Sequence, residues 1–255
     1  MTHHDPARRI TFFSVPVDLL DMEQTVARAE EAMASGKSTR HTALNVAKLV
    51  ALRSNEELAE DVCGSDIVGI DGQGIVLGLR LFGVEEAQRV PGSDLMVELL
   101  GHCARTGRKP YILGARQDML ERAVANAKRD NPGLEFAGYR NGYFSPDDEP
   151  GIVADIAASG ADCLFVAMPT PHKERFLKRN ADRLDVPFVM GVGGSVDWLA
   201  GHVTRAPGWM QRFGLEWLHR LLKEPRKMFK RYATTNIAFA GLLAGALLSN
   251  RKPVA

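Results

Sequence analysis

Short apolar runs rich in Val, Ile and Phe alternate along this chain with segments whose apolar residues recur at helical spacing. The runs predict strands at Thr11–Val17, Thr42–Asn45, Ile67–Ile70, Tyr111–Leu113, Leu134–Tyr139, Cys163–Ala167 and Phe188–Val192. Helices are expected over Met22–Met33 (closed by Gly36), Val46–Arg53, from the DGQG segment to Leu81, Gln117–Arg129, Gly151–Ala158 and His172–Arg183. A further helix is expected over Asp94–Arg105, with Ser93 as N-cap and Gly107 beyond its end. Strand and helix alternation with nearly continuous apolar strands argues for a parallel sheet covered on both faces, a Rossmann-like α/β core. In such sheets ligands sit outside the carboxyl ends of the strands. Here those ends carry Asn45, Asp71, Gly114, the Pro169-Thr170-Pro171 turn and Gly191–Gly194, which predicts one site built from several loops.

The pattern changes near residue 200. Trp209, Phe213, Trp217 and Leu221 fall four residues apart on one helical face, with Arg212, Glu216, Arg220 and Lys223 on the other. Pro225 ends that helix and starts another, which carries Arg226, Lys227, Lys230 and Arg231 and then the apolar run Ile237–Leu248. As a helix those 12 residues reach about 18 Å, against about 30 Å of hydrocarbon in a bilayer, so the run is too short to span. The expected organisation is an α/β core over residues 1–200 and a basic helical appendage over residues 201–255. Contact with a membrane surface explains the appendage; packing on the core or on a second subunit explains it too, so a homo-oligomer stays open.

Composition adds an electrostatic asymmetry. The chain has 255 residues, 45% hydrophobic and 25% charged, with a net charge of +1. Residues 201–255 hold 10 Lys/Arg against Glu216 and Glu224, a net +8, which leaves −7 on residues 1–200. A basic end of this kind suits an anionic membrane surface, a phosphorylated substrate or nucleic acid. The last is disfavoured, because no nucleic-acid motif or interleaved aromatic platform is present. Cys63, Cys103 and Cys163 make neither a CxxC metal site nor a disulfide framework and read as buried apolar residues of a cytosolic protein. The polar stretch Met1–Arg9 does not read as a signal peptide.

Asp71 is the most suggestive single residue, following an apolar strand and preceding Gly72-Gln73-Gly74. An Asp there serves as a general base, a metal ligand or a helix N-cap, and the spacing leaves the choice open. No second carboxylate stands at metal-ligand spacing, so no metal site is expected. A GxGxxG fingerprint is absent, which lowers a dehydrogenase reading. Glycines at strand ends, Gly114, Gly193 and Gly194 among them, suit phosphate binding by backbone N–H groups and equally suit plain tight turns. Arg89 beside a rigid turn offers a fork for a diphosphate, and Lys173 opens a helix where it can meet an anion. No Ser/His/Asp grouping supports hydrolase chemistry.

The order of these blocks along the chain resembles the WecG/TagA/CpsF glycosyltransferase family, glycosyltransferase family 26. The resemblance runs from about Phe13 to Tyr232 and rests on LNVAKLV (44–50), DIVGIDGQGIV (66–76), RVPGSDLM (89–96), YILG (111–114) and GYF (142–144). Further blocks are PHKE (171–174), GVGGSVDWLAG (191–201), RAP (205–207) and GLEWLHRLLKEP (214–225). It implies an inverting, metal-independent, cofactor-free transfer of a hexose or N-acetylhexosamine-type sugar from a UDP-sugar to a polyprenyl-diphosphate-linked glycan. That chemistry would serve exopolysaccharide or envelope polysaccharide synthesis at the inner face of the cytoplasmic membrane. It also implies Asp71 as the base, Asn45 and Arg89 at the donor, and Arg220, Arg226 and Arg231 as arginines brought to the site by the appendage. Two positions depart from the pattern: Lys173 stands where the family often has Gln, and Ala43 where many members have Thr, leaving neighbouring Thr42 to supply that hydroxyl. A non-catalytic nucleotide-sugar or lipid-diphosphate binding subunit is the alternative reading.

Overall fold

A computed structural model describes residues 8–204, 206–212, 214–223, 225–249 and 253–255. The chain opens with an antiparallel hairpin, β1 (Arg9–Phe12) and β2 (Val15–Asp18), where the sequence suggested one strand over 11–17. Phe13 and Ser14 form the turn at φ 49° and 66°, the left-handed pair that matches hairpin twist. Next come α1 (Met22–Ser35), β3 (Thr39–Leu44), α2 (Val46–Leu52), α3 (Glu56–Cys63), β4 (Ile67–Ile70) and α4 (Gln73–Leu81). They are followed by α5 (Gly92–Thr106), β5 (Pro110–Gly114), α6 (Gln117–Asp130), β6 (Gly138–Arg140), a 3-10 turn at Pro146–Asp148 and α7 (Glu149–Ala158). The core closes with β7 (Cys163–Ala167), α8 (His172–Arg179), β8 (Phe188–Gly191) and α9 (Ser195–Leu199). Three helices complete the chain, α10 (Gly208–Arg212), α11 (Glu216–Lys223) and α12 (Pro225–Leu248).

Six strands form one parallel sheet in the order β4-β3-β8-β7-β5-β6, the Rossmann-like arrangement the pattern predicted. Both faces are covered, which explains the unbroken apolar strands. Along β7, Cys163, Phe165 and Ala167 enter the core beneath α1, α5, α6 and α9, while Leu164 and Val166 enter the one beneath α7 and α8. Leu44, Val68 and Ile70 join a third cluster with the hairpin, α2 and α4. Such alternation needs apolar residues at every position of a central strand.

Local chemistry explains most differences from the sequence pattern. Helix α3 was missed because EELAEDVC offers only Leu58 and Val62 as large buried apolar side chains; Asn55 caps it by accepting from Leu58 N. Strand β6 is three residues long rather than 134–139, an edge strand whose Gly138 lies against the Tyr111 ring. Helix α8 stops at Arg179, where the Asn180 side chain bonds Phe176 O and Glu149. Helix α5 begins at Gly92, so Ser93 lies in its first turn and is not its N-cap. The single amphipathic helix expected over 209–222 is broken in two: Gly214 sits at φ 67° with Gln73 packed where a Cβ would be. Among the described residues no helix is long and apolar enough to cross a membrane.

The last three helices lie on the core. Phe239 is buried beside Phe12, with ring centroids 6.4 Å apart, and meets Gly78 of α4. The chain end pairs with the hairpin, Thr11 N donating to Ala255 O and Phe13 N to Pro253 O. Cys103 and Cys163 are buried neighbours with sulfurs 3.8 Å apart, and all three cysteines are free thiols.

Candidate active site

Strands β3 and β4 pair in parallel with Leu44 opposite Ile70, so the next residues, Asn45 and Asp71, leave the sheet side by side. Asp71 N and Gly72 N both donate to Leu44 O, fixing the backbone at the exit. The Asn45 side chain does two jobs. Its Oδ1 caps α2 by accepting from Lys48 N at 3.0 Å, and its Nδ2 donates to Asp71 Oδ2 at 3.2 Å. The other Asp71 oxygen accepts from Gly92 N at 3.0 Å, so the carboxylate caps α5 from outside that helix. This settles the N-cap question raised by the sequence: Asp71 does not cap α4, whose N-cap Gly72 has no side chain to offer. Glycine is required at 72, where a Cβ would stand 2.9 Å from Asn45 Cβ. The result is a half-buried carboxylate with one donor on each oxygen and lone pairs left for a further partner.

Beside it lies a cluster of buried charges. Lys48, on the inner face of α2, places Nζ 3.0 Å from Glu174 Oε1, and Lys173 places Nζ 2.9 Å from the same oxygen. Lys173 also donates to Thr170 Oγ1, whose hydroxyl donates to Glu174 at 3.1 Å. The Lys173 stem lies across Gly191 of β8, where a Cβ would come within 3.0 Å of it. Burial alone would raise the Glu174 pKa, yet the charges of Lys48 and Lys173 outweigh it and hold the carboxyl at about 2. For Lys173, burial and then the charge of Lys48 lower the pKa, against the pull of Glu174 and Asp71. Beneath the edge, His41 of β3 is buried with both ring nitrogens unpartnered; burial first, and Lys48 second, push its pKa down to about 4.

The other residues expected at the site are distributed as follows. Arg89 forms a half-buried ion pair with Glu216 of α11, and the following Val90 N donates to Ile70 O at 2.7 Å, tying this loop to the end of β4. Gly193 sits at φ 53° with open space where a side chain would project, and Gly194 meets only Asp197 at 4.0 Å. Gly114 has φ 127° and its missing Cβ is occupied by Ala167 O, so this glycine is demanded by close strand packing. Thr42 does not join the group. Strand alternation turns it to the opposite face, where its hydroxyl bonds Ser65 Oγ at 2.8 Å, while Ala43 faces Gly92. It therefore does not supply the hydroxyl that Ala43 lacks. Arg226 is exposed on α12. Arg220 and Arg231 lie on α11 and α12, and their side chains fall outside the described residues. Among the described residues no cluster of His, Cys, Asp or Glu fits a metal ion.

Sequence reasoning missed Lys48, Glu174 and Glu216. The signal for Lys48 was present: it is the one charged residue in LNVAKLV, three positions after a capping Asn and on the buried side of α2. Glu216 carried no such signal, since its partner is 127 residues away. A separate 380 Å³ cleft between α3 and α8 is lined by Glu57, Asp61, Arg175, Lys178 and Arg179, charges that are largely paired with one another or their neighbours.

The fold is that of an α/β protein with a parallel sheet, and at the carboxyl edge of that sheet one fixed carboxylate stands beside buried cations. Residues 10–253 match the model of the glycosyl transferase WecG/TagA/CpsF family, and the chain belongs to that family. It is 35% identical over 163 residues to the N-acetylglucosaminyldiphosphoundecaprenol N-acetyl-beta-D-mannosaminyltransferase of Bacillus spizizenii, covering 64% of this chain and 63% of that protein. The enzyme of the same name from Bacillus subtilis is 34% identical over 161 residues, covering 63% of this chain and 62% of the relative. The aligned part thus spans a little under two thirds of each curated relative.

Proposed function

We propose that the protein is an inverting glycosyltransferase that moves a hexose or N-acetylhexosamine-type sugar from a UDP-sugar to a polyprenyl-diphosphate-linked glycan. The observation that carries this reading is the Asp71 carboxylate, held by Asn45 Nδ2 and Gly92 N at the carboxyl edge of the sheet. In the step envisaged, the acceptor oxygen attacks the anomeric carbon and its proton passes to Asp71. The bond from that carbon to the diphosphate oxygen breaks, and its electron pair leaves with UDP. The donors on both Asp71 oxygens fix the orientation of the carboxylate and leave lone pairs for the acceptor proton. The open backbone at Gly193 and Gly194, with Lys173 in the first turn of α8 and its stem across Gly191, supports a path for the donor diphosphate. The relatives' name specifies an undecaprenyl-diphosphate acceptor, which supports the lipid-linked glycan as this chain's acceptor class.

The same reading includes peripheral attachment of residues 201–255 to an anionic membrane face. Trp209, Leu222, Phe229, Ile237 and Leu248 are exposed, and exposed Lys223, Arg226 and Lys230 accompany them. Each cation near such a surface contributes about 1 kcal/mol. The test is UDP release from a panel of UDP-sugars, with and without membranes bearing polyprenyl-diphosphate-linked glycans, in EDTA. Release that needs one donor and the lipid acceptor together is expected. Binding of the donor without release in the presence of the acceptor would replace the transferase with a non-catalytic subunit, and a strict metal requirement would remove the cationic mechanism.

A further inference from the structure

Four charged groups meet at the edge of the sheet: Asp71, Lys48, Lys173 and Glu174. Both lysines aim at one oxygen of Glu174, while its other oxygen is buried without a partner. The three side chains are 7%, 10% and 3% exposed, so none of the charges is relieved by bulk water. As packing this is poor economy, since one buried lysine would neutralise Glu174 and a second adds repulsion and desolvation. The charges balance only when Asp71 is counted, and its field acts on Lys173 to favour the ammonium form. Of the three Lys173 donors, Glu174 and Thr170 take two, and no described residue takes the third.

We propose that Lys173 is the cation that offsets the charge of the departing diphosphate, and that Lys48 is a positioning residue that occupies Glu174 and leaves the Lys173 charge unspent. This rests on the glycosyl-transfer reading above. When the acceptor proton reaches Asp71, that carboxylate becomes neutral, and the four-group cluster passes from zero to one net positive charge. In the same step the diphosphate oxygen receives the electron pair of the broken bond and gains one negative charge. Positive field therefore appears at the site as the leaving group comes to need it, from groups already in place and largely dry. A neutral side chain at 173 would leave the cluster one charge short throughout.

The experiment is calorimetric titration of the full chain with UDP and with uridine, alongside kcat and KM for the active UDP-sugar. It compares wild type with Lys173→Gln, Lys173→Arg, Lys48→Met and Lys48→Arg. Lys173→Gln is expected to weaken UDP about tenfold or more, the scale of one charge-assisted hydrogen bond, to leave uridine unchanged, and to lower kcat more than it raises KM. Lys173→Arg keeps UDP binding, which separates charge from misfolding. Lys48→Met weakens UDP by a smaller factor, and Lys48→Arg restores it. Equal loss of UDP and uridine in Lys173→Gln, or no loss of UDP, overturns the proposal while transfer by the wild type keeps the enzyme reading. A wild type that binds neither ligand and transfers nothing overturns both.

Discussion

The strand exits at Asn45 and Asp71 and the helices from Gly208 to Leu248 are built by opposite means. At the exits every polar side chain is fixed by a neighbour's backbone: Asn45 by Lys48 N, Asp71 by Gly92 N, the chain itself by Leu44 O. The helical segment is attached at separated points, through the Arg89–Glu216 ion pair, Gly214 against Gln73, Phe239 in the hairpin core and the chain end on β1. Between those points it turns large apolar side chains outward, Trp209, Leu222, Phe229, Ile237 and Leu248 among them. One region fixes a single carboxylate by a donor on each oxygen; the other leaves apolar area uncovered.

Removing the largest anchor separates the two regions most strongly. Phe239→Ala deletes a ring that is 6% exposed and is expected to cost about 4 kcal/mol. Protection of α12 amides in hydrogen exchange should fall while β3 and β4 keep theirs. Acid should do the reverse and weaken the sheet edge. His41 is held neutral with a pKa near 4, so between about pH 6.5 and 4 the unfolded chain binds a proton that the folded protein does not. Stability therefore declines as pH falls through that window, by about 3 kcal/mol in all. His41→Asn should flatten denaturant midpoints across the same range. Below it, Glu174, depressed to about 2, continues the decline as pH falls from about 4.5.

Geometry at the exits is tested by Gly72→Val, whose side chain would push Asn45 off Asp71. A displacement of about 1 Å there should lower the transfer rate about 100-fold, with α12 unaffected in exchange. The smallest effect is expected from Glu216→Gln, which removes the charge partner of Arg89. Partial exposure of both side chains limits the stability cost to about 1 kcal/mol, measurable in a double-mutant cycle with Arg89→Gln.

Much of this was legible in the sequence where local chemistry decides it. The unbroken apolar strands announced a parallel sheet, and polar residues after them marked the edge where Asn45 and Asp71 meet. Asn45 and Asp71 could be picked out because each follows a strand directly. Their mutual hydrogen bond could not, because it depends on which strands become neighbours. The buried cluster was half visible: Lys173 stood out at a helix start, while the Glu174 oxygen it shares with Lys48 joins residues 125 apart in the chain and only after β3, β8 and β7 align. Thr42 lies apart from Asn45 and Asp71, which the sequence did not show, because alternation along β3, fixed by its register with β4, turns its hydroxyl to Ser65. The appendage read as one amphipathic helix because the four-residue spacing carries no information about Gly214, which takes a positive φ with Gln73 packed where a Cβ would be.

The central claim is that Asp71 takes the acceptor proton, and it is tested most directly by Asp71→Asn. The sugar transfer rate and UDP affinity would be measured on the same preparations of wild type and variant. An amide keeps the size and one acceptor of the carboxylate while losing the base, so transfer should fall about 10³-fold while UDP affinity is kept or strengthened, because the neighbouring cluster then carries one net positive charge. Transfer at the wild-type rate would contradict the account and remove Asp71 as the base.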